Sequence, residues 1–214
     1  MERQPWPGPA ASEAEEETVA RRSRIERRTK ETEVSLALDL DGGGLQVETG
    51  IGFFDHMLEL LGRHGHLGLE VRAEGDLETG AHHTVEDVGI ALGQALDEAL
   101  GDRAGIRRYA HTEVPMDEAL ARCSLDISGR PFFLFESNLP SLSIAGFDTE
   151  LCEEFFRAVA TNARLTLHLT NPYGSNAHHM IEACFKAFAR ALRHAVSIDP
   201  DETGVPSTKG TLTD

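Results

Sequence analysis

Two short stretches hold the side chains best suited to chemistry. One reads His82-His83-Thr84-Val85-Glu86-Asp87-Val88 and the other His178-His179-Met180-Ile181-Glu182-Ala183-Cys184. In each, a pair of adjacent histidines is followed by a glutamate three residues after the second, and an apolar helical pattern continues from there. Imidazole and carboxylate together are ligands for Zn, Mn, Fe or Ni. A lone histidine is more often a satisfied surface or core residue, so His66, His111, His168 and His194 are read as structural, with His64 the most arguable because it lies near His56. The same cluster occurring twice at helix starts is harder to dismiss. It points to two metals and a symmetric site between two halves of the chain.

The elements around the clusters repeat as well. Leu67, Leu69 and Val71 alternate as a strand before the first cluster, and Leu165, Leu167 and Leu169 do so before the second. A helical pattern precedes each strand, over Phe53 to Leu61 and over Leu151 to Ala160. His56 stands eleven residues before Leu67, and Glu154 eleven before Leu165. His56 and Glu154 therefore occupy matching positions, and both are metal-ligand types. Further strands are read at Val34–Leu40, Cys123–Ile127 and Phe132–Phe135. The repeat spans nearly half the chain, which indicates a duplicated half-domain and not a solenoid. The expected fold is α+β: two half-domains related by a pseudo-twofold, each a small β-sheet packed on two helices. Residues 1–22, with Pro5, Pro7, Pro9 and the acidic run Glu13–Glu17, are expected to be a disordered tail. Residues 23–115 and 116–198 are the two halves, and 199–214 an irregular C-terminal tail. The basic run from Arg21 to Lys30 reads as a solvated edge, or as an arm touching a neighbouring subunit.

Helix geometry assigns ligands. Positions i and i+3 share a face, which pairs His83 with Glu86 and His179 with Glu182, while His82 and His178 point about 100° away. Each of these can reach across to the other half. The expected sets are His56, His83, Glu86 and His178 for one ion, and His82, Glu154, His179 and Glu182 for the other.

Composition narrows the setting. The 36 acidic residues outnumber 20 Lys and Arg, for a formal charge of -16, which argues against a nucleic-acid groove. Three cysteines at no paired spacing fit a reducing compartment, with Cys184 a small core residue. No apolar run has membrane-spanning length and no signal peptide is evident, so the expected location is the cytoplasm. Asp39-Leu40-Asp41-Gly42 superficially resembles the nucleophile loop of aspartate-based phosphatases, but the alternating strands and helices of such a domain do not follow.

Five motifs in order, Phe53-Phe54-Asp55-His56-Met57-Leu58, His82 to Asp87, Ser128-Gly129-Arg130-Pro131, His178 to Ala183 and Pro206-Ser207-Thr208-Lys209-Gly210, resemble those of the imidazoleglycerol-phosphate dehydratases of histidine biosynthesis. The resemblance runs from about Arg24 to the C-terminus. It implies a ribosomal S5 domain 2-like fold and a manganese-dependent lyase with two Mn2+ per active site. Such an enzyme removes water from imidazole glycerol phosphate to give imidazole acetol phosphate. It also implies self-association into an octahedral cage of about two dozen chains with active sites at subunit contacts. Carried onto this chain, His56, His83, Glu86 and His178 would bind one manganese and His82, His179 and Glu182 the other. Many members have histidine where this chain has Glu154. Arg108, Arg130, Ser207 and Lys209 match phosphate- and tail-binding positions, and Glu31 a substrate-contacting glutamate. The catalytic set is then Glu31, Glu182 and His56, with His64 beside the substrate.

The chemistry needs such groups. The proton to be removed sits on carbon and is not acidic. A metal on a ring nitrogen favours the deprotonated ring, which can help expel the hydroxyl. Arg130 in its turn offers a planar fork of donors to phosphate, and Lys209 a mobile point charge. The same ligands could instead serve a dinuclear metallohydrolase of a phosphorylated substrate, or a non-enzymatic metal-binding oligomer. The first predicts release of inorganic phosphate; the second predicts metal binding that does not depend on Arg130 or Lys209.

Overall fold

The computed structural model describes residues 20–212, so nearly all of the expected N-terminal tail lies outside the described residues. The first half runs β1 (Arg22–Arg28), β2 (Thr32–Asp39), β3 (Leu45–Glu48), α1 (Gly52–Gly65), β4 (Gly68–Gly75) and α2 (His82–Leu100). The second runs β5 (Tyr109–Met116), β6 (Ala119–Asp126), β7 (Phe132–Glu136), a small hairpin of β8 (Ser143–Ile144) and β9 (Phe147–Asp148), α3 (Leu151–Asn162), β10 (Thr166–Tyr173) and α4 (Ala177–Val196). The sheets have matching orders, β1-β2-β4-β3 and β5-β6-β10-β7. In the first sheet β3 runs parallel to β4, in the second β7 runs parallel to β10, and the other pairings within these sheets are antiparallel. The repeat is thus present in topology as well as in motif. The second sheet begins at Tyr109, and residues 101–108 connect it to α2.

Alternation explains which face each sheet buries. Val34, Leu36 and Leu38 of β2 and Leu69 and Val71 of β4 point inward, as do Ala121, Cys123, Leu125, Leu167 and Leu169 in the second sheet. The basic run forms a solvated edge of the first sheet. It is edge strand β1, paired with β2 alone, and its single apolar residue Ile25 packs on the core. Outward, Arg24 pairs with Glu26 and Arg28 with Glu33.

The helices exchange partners between halves. α2 lies on β1 and β2, yet its helical neighbour is α3 of the second half; α4 lies on β5 and β6, and its neighbour is α1 of the first. Two sheet-and-helix layers therefore face each other helix to helix. The α2–α3 contact is close because two glycines, one turn apart, face it. A Cβ on Gly89 would stand 2.9 Å from the Phe155 carbonyl oxygen, and one on Gly93 would stand 2.8 Å from the Val159 oxygen. Around the α1–α4 pair, Phe54, Phe155, Phe156, Phe185 and Phe188 form a continuous buried aromatic cluster. No described helix is long and apolar enough to cross a membrane.

Replacing Gly93 by Val drives a side chain into the α3 backbone, which cannot yield as a flexible side chain would. Overpacking of this kind costs about 1–3 kcal/mol. The expected result is a lower melting temperature, read by circular dichroism, without loss of helical content below the transition.

Candidate metal centre

Exchange of helix partners sets His56 of α1 beside the first turns of α4. His178 Nε2 lies 3.0 Å from Glu182 Oε2, and His56 Nε2 lies 3.6 Å from the same oxygen. The His56 and His178 rings are 6.4 Å apart. These three form a group whose ligand atoms all lie within 4.8 Å of one another, close enough to hold one ion. Asn176 caps α4 by accepting the His178 backbone N–H at 3.0 Å, which fixes where the helix begins and so where the imidazole starts. Phe53 packs edge-on against the His178 ring at 5.1 Å and restricts its rotation.

Glu182 is the buried member, with its side chain 8 % exposed. Burial alone would raise its pKa. Lys186, one turn on, donates to Oε1 at 2.5 Å, and with His178 and His56 it more than offsets burial, so the carboxyl sits below its ordinary value. Glu182 is ionised, with Oε2 turned to both imidazoles. Two nitrogens and one carboxylate oxygen are a donor set that fits a divalent transition metal. The residues present fit the ion that the sequence pattern calls for.

Within one chain His56 and His178, placed in one set from the sequence, stand together with Glu182. The reason is helical: with 3.6 residues per turn, i+4 shares a face as well as i+3. The glutamate turns to the first histidine of each pair, as His178–Glu182 shows, and His82 Nε2 likewise lies 4.0 Å from Glu86. The second histidines point elsewhere and are held by carboxylates. His83 Nδ1 donates to Asp76, 3.1 Å from both oxygens, with Glu31 at 3.8 Å. His179 Nδ1 donates to Glu118 at 2.7 Å, and Asp117 lies 3.8 Å from its Nε2. Carboxylate on Nδ1 presents Nε2 outward.

Glu154 stands in the first turn of α3, 4.0 Å from Arg157. It is placed on α3 against α2 as His56 is placed on α1 against α4, but among the described residues His56, His178 and Glu182 are the only close donor group. His64 lies further along α1. Burial and the charges of Lys186, Arg190 and Arg63 lower its pKa, which keeps the ring neutral. Lys186, Asp76 and Glu118 were not singled out in the sequence. The signal for Lys186 was its i+4 spacing from Glu182; for Glu118 it was its place in the tight turn after Pro115-Met116.

The four expected phosphate-binding residues come together elsewhere. Arg108, Arg130, Ser207 and Lys209 line one cavity of about 740 Å3 formed with the C-terminal tail. Arg108 donates to Asp126 at 2.7 and 3.2 Å and to the Pro206 carbonyl at 2.8 Å, so it ties the tail down. Gly129 has a φ of 71° and faces the Leu212 carbonyl at a distance where any Cβ would clash. The tail is thus ordered against the turn that carries Arg130.

Residues 49–192 match the family model for imidazoleglycerol-phosphate dehydratase. An imidazoleglycerol-phosphate dehydratase from Azorhizobium caulinodans is 59 % identical over 194 residues, covering 90 % of this chain and 98 % of that protein. The chain belongs to the imidazoleglycerol-phosphate dehydratase family. One from Alkaliphilus metalliredigens is 55 % identical over 91 % of this chain and all of that one. The crystal structure of the Staphylococcus aureus imidazoleglycerol-phosphate dehydratase superposes with a TM-score of 0.77 at 43 % identity, covering 83 % of this chain and 99 % of that one. The Pyrococcus furiosus dehydratase, in complex with (S)-C348, gives 0.77 at 36 %, covering 88 % and 100 %. The duplicated α+β fold is the dehydratase fold, and the reaction class is that of a hydro-lyase of histidine biosynthesis.

A metal competes with protons for imidazole. The His83 and His179 pKa values are raised above 6.5, by hydrogen bonds to Asp76 and Glu118 respectively. Protonation therefore begins to occupy these rings above that pH. Divalent-metal affinity of chelator-treated protein, measured by calorimetry, should fall as pH drops through the neutral range, with the decline already under way above 6.5. A flat affinity across that range would contradict ligation by these histidines.

Proposed function

We propose that the chain is a manganese-dependent dehydratase converting imidazole glycerol phosphate to imidazole acetol phosphate, with each active site assembled from more than one copy of the chain. One observation carries the assembly. The metal cluster sits at the start of α4, at His178, whereas the phosphate cavity is anchored at its end, where Arg108 N–H bonds the Ala195 carbonyl at 2.9 Å. Seventeen residues of helix separate them, about 25 Å at 1.5 Å per residue. A three-carbon chain with a ring at one end and a phosphate at the other does not span that. Ring and phosphate are therefore held by different chains, which agrees with the cage of about two dozen subunits that the motifs imply.

Within this reading His56, His178 and Glu182 hold one manganese and His82, Glu86 and Glu154 the other. The outward Nε2 atoms of His83 and His179 complete sites on neighbouring copies. Mixed nitrogen and oxygen donors suit manganese. When bound, the two ions would stabilise the deprotonated substrate ring. Phe53 and Lys186 keep the His178–Glu182 pair oriented. Glu31, exposed beside His83, moves the proton: among the described residues its carboxylate accepts no hydrogen bond, so it can turn to the substrate. Arg130, Ser207 and Lys209 bind the phosphate of a substrate whose ring a neighbour holds, and Arg108 fixes the tail that supplies two of them.

The test is a direct assay for imidazole acetol phosphate. Chelation should abolish turnover and Mn2+ restore it, while release of inorganic phosphate would overturn the reading in favour of a hydrolase. Arg130→Ala removes hydrogen bonds to a charged group, worth about 1.5–3 kcal/mol, so kcat/KM should fall about 10- to 100-fold with metal content unchanged.

A further inference from the structure

The two halves hold their outward histidines with different carboxylates, and the difference follows from loop length. Leu36 pairs with Val71 in the first sheet as Cys123 pairs with Leu169 in the second. Five residues before Leu36 and before Cys123 stand Glu31 and Glu118. The same position in the duplicated fold, at the end of each first hairpin, is thus a glutamate twice.

Their surroundings are unlike. Glu118 Oε1 accepts the backbone N–H of Asn176 at 2.8 Å and of Ser175 at 3.1 Å, with the Ser175 hydroxyl at 3.3 Å. Its Oε2 faces His179 Nδ1 at 2.7 Å. The carboxylate therefore clamps the start of α4 and the histidine together. Among the described residues the Glu31 carboxylate makes no such bonds and reaches only to 3.8 Å from His83. The loop into α4 is short, Gly174 to Asn176, and carries no acidic residue. The loop into α2 runs from Asp76 to Ala81 and brings its own, Asp76, to His83. Asp76 is held in turn by the Thr79 hydroxyl at 2.9 Å.

We infer that Glu118 is a positioning residue that aims His179 Nε2 at a metal, and that Asp76 does the same for His83, which leaves Glu31, the counterpart of Glu118, available to the substrate. This rests on the proposed metal reading and deepens it. It explains how a site built from two halves of matching topology acquires a direction: one half keeps an exposed carboxylate and the other commits its carboxylate to a histidine.

Glu118→Gln is the discriminating change. The amide oxygen stays with the two backbone N–H donors, so the amide nitrogen faces His179 Nδ1 and donates to it. The ring proton then moves to Nε2, the atom required for ligation. Stripped protein titrated with Mn2+ should bind roughly 10- to 100-fold more weakly than wild type, and the visible spectrum of the Co2+-loaded variant should change. Asp76→Asn should act likewise through His83, and it carries the comparison if Glu118→Gln melts early. Glu31→Gln should bind Mn2+ as wild type does and lose turnover. Wild-type affinity and spectrum in both Glu118→Gln and Asp76→Asn would overturn the positioning role while leaving the metal reading intact. A wild-type chain that takes up no Mn2+ would overturn the metal reading, and this inference with it.

Discussion

The site depends on one packing fact: α1 lies against α4 and α3 against α2, so each helix pair joins the two halves. His56 meets Glu182 across such a contact, at 3.6 Å, and neither half could place those groups together alone. Close approach of α2 and α3 requires the missing Cβ atoms of Gly89 and Gly93. The aromatic cluster around Phe155 and Phe185 then locks the layers in a single register. Core packing here sets ligand geometry directly, because a shift of one helix along its partner would separate an imidazole from its carboxylate.

The second constraint is the length of α4. It puts the His56–His178–Glu182 group at one end and the cavity lined by Arg108, Arg130, Ser207 and Lys209 at the other, and both are built from this chain's own residues. Each end is preorganised. Asn176 caps the start, Lys186 neutralises the buried Glu182, and Arg108 with Asp126 pins the tail at the far end. On the proposed reading, two half-sites held apart on one helix are productive only when copies meet. The outward-facing Nε2 atoms of His83 and His179 suit the same arrangement.

Much of this was legible in the sequence. Alternation at Leu67–Val71 and Leu165–Leu169, and the helical spacing after each cluster, located β4, β10, α2 and α4 because these are central or buried elements with one clean apolar face. β1, β3 and β5 were not legible. They are edge strands with a single partner, and outward residues such as Arg24, Glu26 and His111 blur the apolar alternation that marks a strand. Type and spacing identified His56, His178 and Glu182, but not which histidine of each pair Glu182 would choose, since i+3 and i+4 both lie on one face. Asp76 and Glu118 are not legible for another reason. Their role comes from a strand-to-helix loop and a hairpin turn meeting a helix start, and no local spacing records that. Arg108, Arg130, Ser207 and Lys209 were named through family resemblance; their convergence on one cavity required the fold.

Complementation between two impaired variants tests the shared site most directly. His178→Ala removes a ligand at the start of α4, and Lys209→Ala removes a phosphate contact in the cavity at its end. If sites are composed from different chains, each variant alone is impaired, and co-assembled mixtures exceed both because some sites draw their metal cluster from one variant and their phosphate cavity from the other. If both ends of one chain served a single substrate, mixtures would not exceed the more active variant.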